Sequence, residues 1–245
     1  GSHAKLVQAV LNAQELEIPF RFNSVVTSAN CEALGEHMDF LASFKPLSVN
    51  LIVFNPSEET PDCQTHETIR FTSYEHIGQK VCDILGEWRD KFPVINVRFI
   101  PFCFMKGYEE HVRGYWQAIY EEREWDPFLH MGFRKGFHKV IVAVIAGFFM
   151  WPWTLARYGK KSFYTLICEW MQSFRIFLLF KKARECRKCS LRFICSGFHR
   201  DFIKKYGETK VYPYEDIPLI RNPVFFAYPK YAWKFPCLAK DSKML

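Results

Sequence analysis

The chain has 245 residues, a net charge of +7 and 18% aromatic residues, with 25 Phe, 11 Tyr and 7 Trp. Disordered chains are poor in aromatics, and collagen-like or low-complexity chains need far more than the 12 Gly and 13 Pro present, so these classes are excluded. Residues 1–100 hold 8 basic and 13 acidic side chains (−5), and residues 101–245 hold 25 and 13 (+12). That break predicts two parts with different work, each long enough to bury a core. The basic part suits an acidic substrate, a nucleic acid or an anionic membrane surface as well as it suits a plain solvated face.

The first hundred residues alternate. Leu6, Val7, Val10, Leu11 and Leu16 predict a helix over 4–17. Residues 19–27 (PFRFNSVVT) predict a strand. Asn30 is a natural cap for a helix running to Phe44. Residues 48–54 (SVNLIVF) are a second strand, followed by a polar loop over 55–71. Thr72 and Glu75 form a capping box for a helix carrying Ile77, Val81, Ile84, Leu85 and Trp88, and 93–101 (PVINVRFIP) is a third strand. Strands separated by helices pair in parallel through right-handed crossovers. Three strands are too few for a complete barrel of eight βα units, and the pattern begins on a helix.

Beyond residue 101 the rhythm changes. Residues 108–123 read as helical or irregular, 133–149 and 162–184 as helices, and the tail from Val211 as an irregular wrap. The uncharged run 140–156 (VIVAVIAGFFMWPWTLA) has seventeen residues, with bases on both sides. It falls short of the roughly 20 residues of a spanning helix. It predicts a buried helix, with shallow insertion at a membrane surface as the alternative.

The nine cysteines are an odd number, and no secretory signal opens the chain; both predict a reducing, cytoplasmic setting without a disulfide framework. Cys186-x2-Cys189-x5-Cys195 places three of them within ten residues. Such spacing gathers soft thiolates on one metal centre, either zinc or an iron–sulfur cluster. The bases Arg184, Arg187, Lys188 and Arg192 would lower the thiolate pKa. His199 could complete a zinc site of three cysteines and one histidine. Cys103, at the end of the third strand, could complete a four-thiolate set for a [4Fe–4S] cluster, and Cys237 is a spare candidate.

Residues 1–59, in the phrases GSHAKLVQAV, IPFRFNSVVTSAN and VNLIVFNP, resemble the second half of a radical S-adenosylmethionine (radical SAM) barrel. Residues 186–213 (CRKCSLRFICSGFHRDFIKKYGETKVYP) resemble the auxiliary-cluster extension called SPASM, or its shorter form, twitch. RFIPFCFMKGYEE and EREWDP resemble the linking stretch, and only about 130–180 lies outside the likeness. The resemblance implies an α/β fold. The C-terminal half of a (β/α) barrel would span 1–104, a linking and helical insertion 105–185, and a Cys-rich cluster-binding region with its tail 186–245.

It also implies one auxiliary [4Fe–4S] cluster on Cys103, Cys186, Cys189 and Cys195. Contacts to S-adenosyl-L-methionine would come from Asn23, Ser24 and Asn55, although the family's Gly-rich phrase after that strand is absent. In the full-length parent a second [4Fe–4S] cluster and S-adenosyl-L-methionine would yield a 5′-deoxyadenosyl radical. That radical would abstract hydrogen from a peptide or small-molecule substrate, with electrons from a donor protein. The family's Cys-x3-Cys-x2-Cys motif is missing, so this chain by itself is expected to be inactive. Gly1-Ser2-His3 reads equally as native sequence or as a tag remnant. The alternative from a different class is a zinc-stabilised module of Cys186, Cys189, Cys195 and His199 that binds nucleic acid through the basic aromatic half.

Overall fold

The computed structural model describes residues 2–54, 73–118, 138, 141, 145, 149, 173, 174, 176–207 and 210–226. The chain forms two compact units, Gly1–Arg113 and Gly114–Leu245.

The first unit runs α1 (Ser2–Glu15), β1 (Arg21–Val26), α2 (Leu34–Ala42), β2 (Ser48–Val53), α3 (Tyr74–Trp88), β3 (Ile95–Arg98) and β4 (Val112–Arg113). The sheet order is β1-β2-β3-β4, and every pair is parallel. The α/β alternation expected from the sequence is therefore present. β4 has two residues, too few for a period to register, and its pairing with β3 carries the first unit to Arg113.

Side chains alternate across the strands. Phe22 and Val26 of β1, Val49, Leu51 and Val53 of β2, Ile95 and Val97 of β3 and Val112 of β4 are all buried and share one face. Ser24 shares that face, and its Oγ meets His37 Nε2 of α2 at 2.8 Å, which seats α2 against it. The helix face of this core comes from Leu34, Met38 and Leu41 of α2 and from Ile77, Val81, Leu85 and Trp88 of α3. Their spacing is helical, and burying each aliphatic side chain stabilises by about 1.5–3 kcal/mol.

Two caps differ from expectation. Ser73, in extended conformation at φ −138° and ψ 152°, caps α3: its Oγ accepts from His76 N at 3.0 Å. Thr72 lies outside the described residues. Asn30 does not cap α2, which starts after Ala33 without a side-chain cap. Its amide instead closes the turn after β1, accepting from Thr27 N at 2.8 Å and donating to Val25 O at 2.8 Å. Asparagine commonly serves a turn in this way.

After β3 the chain turns at Phe99, whose φ of +64° is unusual for an aromatic residue. It then enters a 3₁₀ turn, Phe102–Phe104, that contains Cys103. Gly78 of α3 lies so close that a Cβ there would stand 2.7 Å from Phe104 O. Tyr74 stacks on Phe104 with ring centroids 5.9 Å apart, and Cys82 Sγ points at Phe104 O. Burial, helped by Asp83 and Glu109, pushes the Cys82 thiol up to about 11, so it is an inert packing group.

In the second unit a short helix, Tyr115–Ala118, precedes an antiparallel pair, β5 (Phe180–Lys181) with β6 (Phe198–His199), and a closing helix, Arg200–Tyr206. The helix expected over 162–184 is helical at 173, 174 and 176–179, and ends where β5 begins. Most of the apolar run 140–156 lies outside the described residues, but Ile141, Ile145 and Phe149 are helical and exposed. Among the described residues no helix is long and apolar enough to cross a membrane.

Candidate functional site

Two places collect chemistry-bearing side chains, one in each unit. In the first unit it is the sheet face opposite α2, where asparagines of three strands stand in register, Asn23 beside Asn50 and Asn50 beside Asn96. Asn96 Nδ2 donates to Asn50 Oδ1 at 2.9 Å, and Asn50 Nδ2 donates to Asn23 Oδ1 at 2.7 Å. The amides form a one-way chain, in which each bond polarises the next. The chain ends in Asn23 Nδ2, a donor on the exposed β1. At its other end Asn96 Oδ1 is buried with no hydrogen-bond partner among the described residues, which costs about 1–3 kcal/mol. Such an orphan is what a ligand- or water-binding face leaves behind.

The strand alternation separates two residues that the resemblance had put on one cofactor. Asn23 faces the amide ladder, whereas Ser24 faces α2 and is bonded to His37. Burial lowers the His37 pKa, so the ring stays neutral beside the Ser24 hydroxyl. Ser24, Asn30, Glu36 and His37 line a hollow of about 320 Å³ on that helix side. Asn55 lies outside the described residues. Asn50 and Asn96 were not singled out from the sequence; only the register reveals that they continue Asn23.

In the second unit the site is the loop joining β5 to β6. Cys186 lies in the 3₁₀ turn Glu185–Arg187, and a second turn follows as Cys189 N donates to Cys186 O at 3.2 Å. Leu191 and Ile194 are fully buried and anchor the loop, leaving Cys186 and Cys195 half-buried and Cys189 buried. The 214–223 tail stitches it down. Ser190 N donates to Tyr214 O at 2.7 Å, Ser190 Oγ to Ile217 O at 2.5 Å, and Ile220 N to Ser190 O at 2.9 Å. Buried Gln117 donates to Ile194 O at 3.1 Å and to Pro223 O at 3.0 Å, and accepts from Gly114 N at 2.9 Å. Gly197, at φ +85°, passes under β5 so closely that a Cβ would stand 2.7 Å from Lys181 O.

Tyr214 N donates to Cys189 Sγ at 3.5 Å, which ties the tail to the sulfur. Burial first, then Cys195 and Cys189, push the Cys186 pKa up against the backbone bond at Ala183 and the pull of Lys182. The basic surroundings were expected to lower it, but desolvation and like charges prevail. His199 sits at β6, buried against Phe180, and its Nδ1 caps the closing helix by accepting from Asp201 N at 3.3 Å. Burial lowers its pKa, with Asp201 opposing.

Among the described residues, the ligand atoms of Cys186, Cys189, Cys195 and His199 supply no group of three mutually within 4.8 Å. A single tetrahedral zinc holds its sulfurs about 3.8 Å apart. Cys103 belongs to the first unit and these residues to the second. Cys237 lies outside the described residues. No family model, no curated protein and no solved structure matches the chain.

Proposed function

We propose that the chain is the C-terminal part of a radical SAM enzyme and carries one auxiliary [4Fe–4S] cluster. The observation that carries this reading is the β5–β6 loop. Three thiols lie on one stitched loop, Cys189 and Cys195 both act on Cys186, and Cys189 receives an N–H···S bond. Three thiolates on one loop suit a cluster in which each cysteine takes its own iron. Cys186, Cys189 and Cys195 would hold it, with Cys103 as the fourth thiolate on the strength of the resemblance. Bound there, the cluster supplies one-electron chemistry. The chain's own residues then have three tasks. Leu191 and Ile194 exclude water, the Tyr214 N–H orients the Cys189 sulfur, and the amide ladder offers Asn23 Nδ2 to S-adenosyl-L-methionine or to a peptide or small-molecule substrate.

Protein purified without oxygen is expected to be brown, with about four irons and matching sulfide per chain. Cys186→Ala, Cys189→Ala and Cys195→Ala should each abolish that content, and Cys103→Ala tests the fourth ligand. A colourless preparation with one zinc per chain would overturn the reading in favour of the zinc-stabilised nucleic-acid module. A Cys-x3-Cys-x2-Cys motif in sequence preceding Gly1 would support the parent enzyme and its need for a donor protein.

A second reading concerns location. Ile141, Ile145 and Phe149 recur at helical spacing with 60%, 53% and 78% exposure, inside a run flanked by bases. That stripe favours a cytoplasmic protein that touches an anionic membrane surface. Co-sedimentation with anionic liposomes at low salt tests it, and an absence of binding dismisses it.

A further inference from the structure

The turn after β1 and the first turn of α3 bring together three donor types that the cluster reading does not use. Cys31 Sγ, a carboxylate oxygen of Glu32 and a ring nitrogen of His76 all lie within 4.8 Å of one another. We propose that Cys31, Glu32 and His76 form a second metal site, one that takes a single borderline divalent cation, Zn²⁺, and keeps a fourth position open.

Both sides of the site are held in place beforehand. The Asn30 amide closes the turn, and Cys31 N donates to Thr27 O at 3.0 Å. Opposite, the Ser73 cap fixes the backbone of His76. His76 Nε2 and Glu32 Oε1 already stand 2.8 Å apart. Lys80 Nζ holds the other carboxylate oxygen, Oε2, at 2.5 Å and so turns Oε1 towards the imidazole. An outer partner that orients a ligating carboxylate is what a metal site requires.

The donor chemistry selects the ion. One thiolate, one imidazole and one carboxylate suit zinc, whereas magnesium and calcium prefer all-oxygen sites. Tetrahedral zinc with these donors needs ligand atoms about 3.4–3.6 Å apart. The observed spread reaches that with movements of roughly an ångström or less. Cys31 is 2% exposed, and a bound cation would compensate a thiolate at so buried a position. The competing reading is an ion-pair cluster of Glu32 with His76 and Lys80. Such exposed pairs contribute little, and they leave the sulfur only its weak bond to Ser28 O at 3.7 Å. Three protein ligands with an open fourth position match the composition of reactive rather than closed structural zinc sites.

The test is Co²⁺ and Zn²⁺ titration of the full chain. Co²⁺ should give a thiolate-to-metal charge-transfer band, and Zn²⁺ one equivalent beyond any held at the 186–195 loop. Cys31→Ser should abolish that band's contribution. Glu32→Gln and His76→Gln, both at partly exposed positions that the core does not need, should weaken Co²⁺ binding more than about 10-fold. Iron content should stay unchanged in all three. A variant lacking the cysteines at 186, 189 and 195 should keep the Cys31-dependent equivalent, so that failure of the cluster reading and failure of this one are told apart. Unaltered stoichiometry and spectrum in Cys31→Ser and His76→Gln would overturn the proposal.

Discussion

The two units are held together by different means. In the first, a parallel sheet presses an aliphatic face against α2 and α3, and its specificity lies in the pattern of alternation. In the second, the described core around the cysteines is a 182–197 loop between two-residue strands, fixed by backbone groups that meet Gln117, Ser190 and the 214–223 tail. A regular element satisfies its own backbone, but an irregular loop must borrow partners for every buried N–H and C=O. Substitutions should therefore damage the first unit mainly by loss of volume and the second by loss of polar staples.

The largest effect is expected at Leu51, which is fully buried at the centre of β2. Leu51→Ala should cost about 2–5 kcal/mol through lost burial and the cavity left behind. Leu51→Met should recover most of it, since volume is nearly conserved. Denaturant titration measures both. A cost below about 1 kcal/mol for the alanine variant would mean that the sheet is not the load-carrying layer of its unit.

Gln117→Ala tests the other half of the comparison. It removes little apolar surface but orphans Ile194 O, Pro223 O and Gly114 N. Only the Ile194 O bond is fully buried, so the variant should cost about 1–3 kcal/mol. The variant should also release iron faster if the loop holds a cluster, because Ile194 immediately precedes Cys195. Gln117→Leu, similar in size but unable to bond, should be as damaging; a benign Gln117→Leu would show that the side chain acts by filling space.

These contrasts also explain how far the sequence could be read. Strands β1, β2 and β3 and helices α1 and α3 announce themselves, because residues such as Val49, Leu51 and Val53, or Ile77, Val81 and Leu85, repeat at the period of the element they form. The cysteine triplet is equally plain as spacing. The amide ladder is not, since Asn23, Asn50 and Asn96 lie 27 and 46 residues apart and only strand register joins them. Neither is Cys31–Glu32–His76, whose members come from a turn and a helix start more than forty residues apart. β4, β5 and β6 are two residues each, and pairing defines them where periodicity cannot. The resemblance points to residue types near strands, but only the pleat separates Asn23 from its neighbour Ser24.

A smaller effect is expected from the ladder. Asn50→Ala leaves Asn96 Nδ2 without its acceptor, in a site where Asn96 Oδ1 already lacks a partner among the described residues. One more buried orphan should cost about 1–3 kcal/mol. Asn50→Leu combined with Asn96→Leu removes both partners and should be milder than the sum of the singles. If the double variant folds well yet no longer binds S-adenosyl-L-methionine or a substrate, the ladder is retained for recognition and not for stability.

The smallest effect is a pH dependence that separates the units through one histidine in each. Burial lowers the pKa of His37 and of His199, so in both cases the folded protein holds the neutral ring. A proton then binds the unfolded chain more readily than the folded one. Stability is fully present above the ordinary histidine value of about 6.5 and declines as pH falls through it towards the folded values. At His37 burial acts unopposed, whereas at His199 the Asp201 carboxylate partly offsets it. His37→Gln keeps a hydrogen-bonding partner for Ser24 without a titrating ring, and His199→Asn keeps a cap for the closing helix. The loss of stability between pH 7.5 and 5.5 should shrink in both variants, and more in His37→Gln. An acid sensitivity unchanged by His37→Gln would mean that the ring is hydrated in the folded protein and that the β1–α2 hollow is open to water.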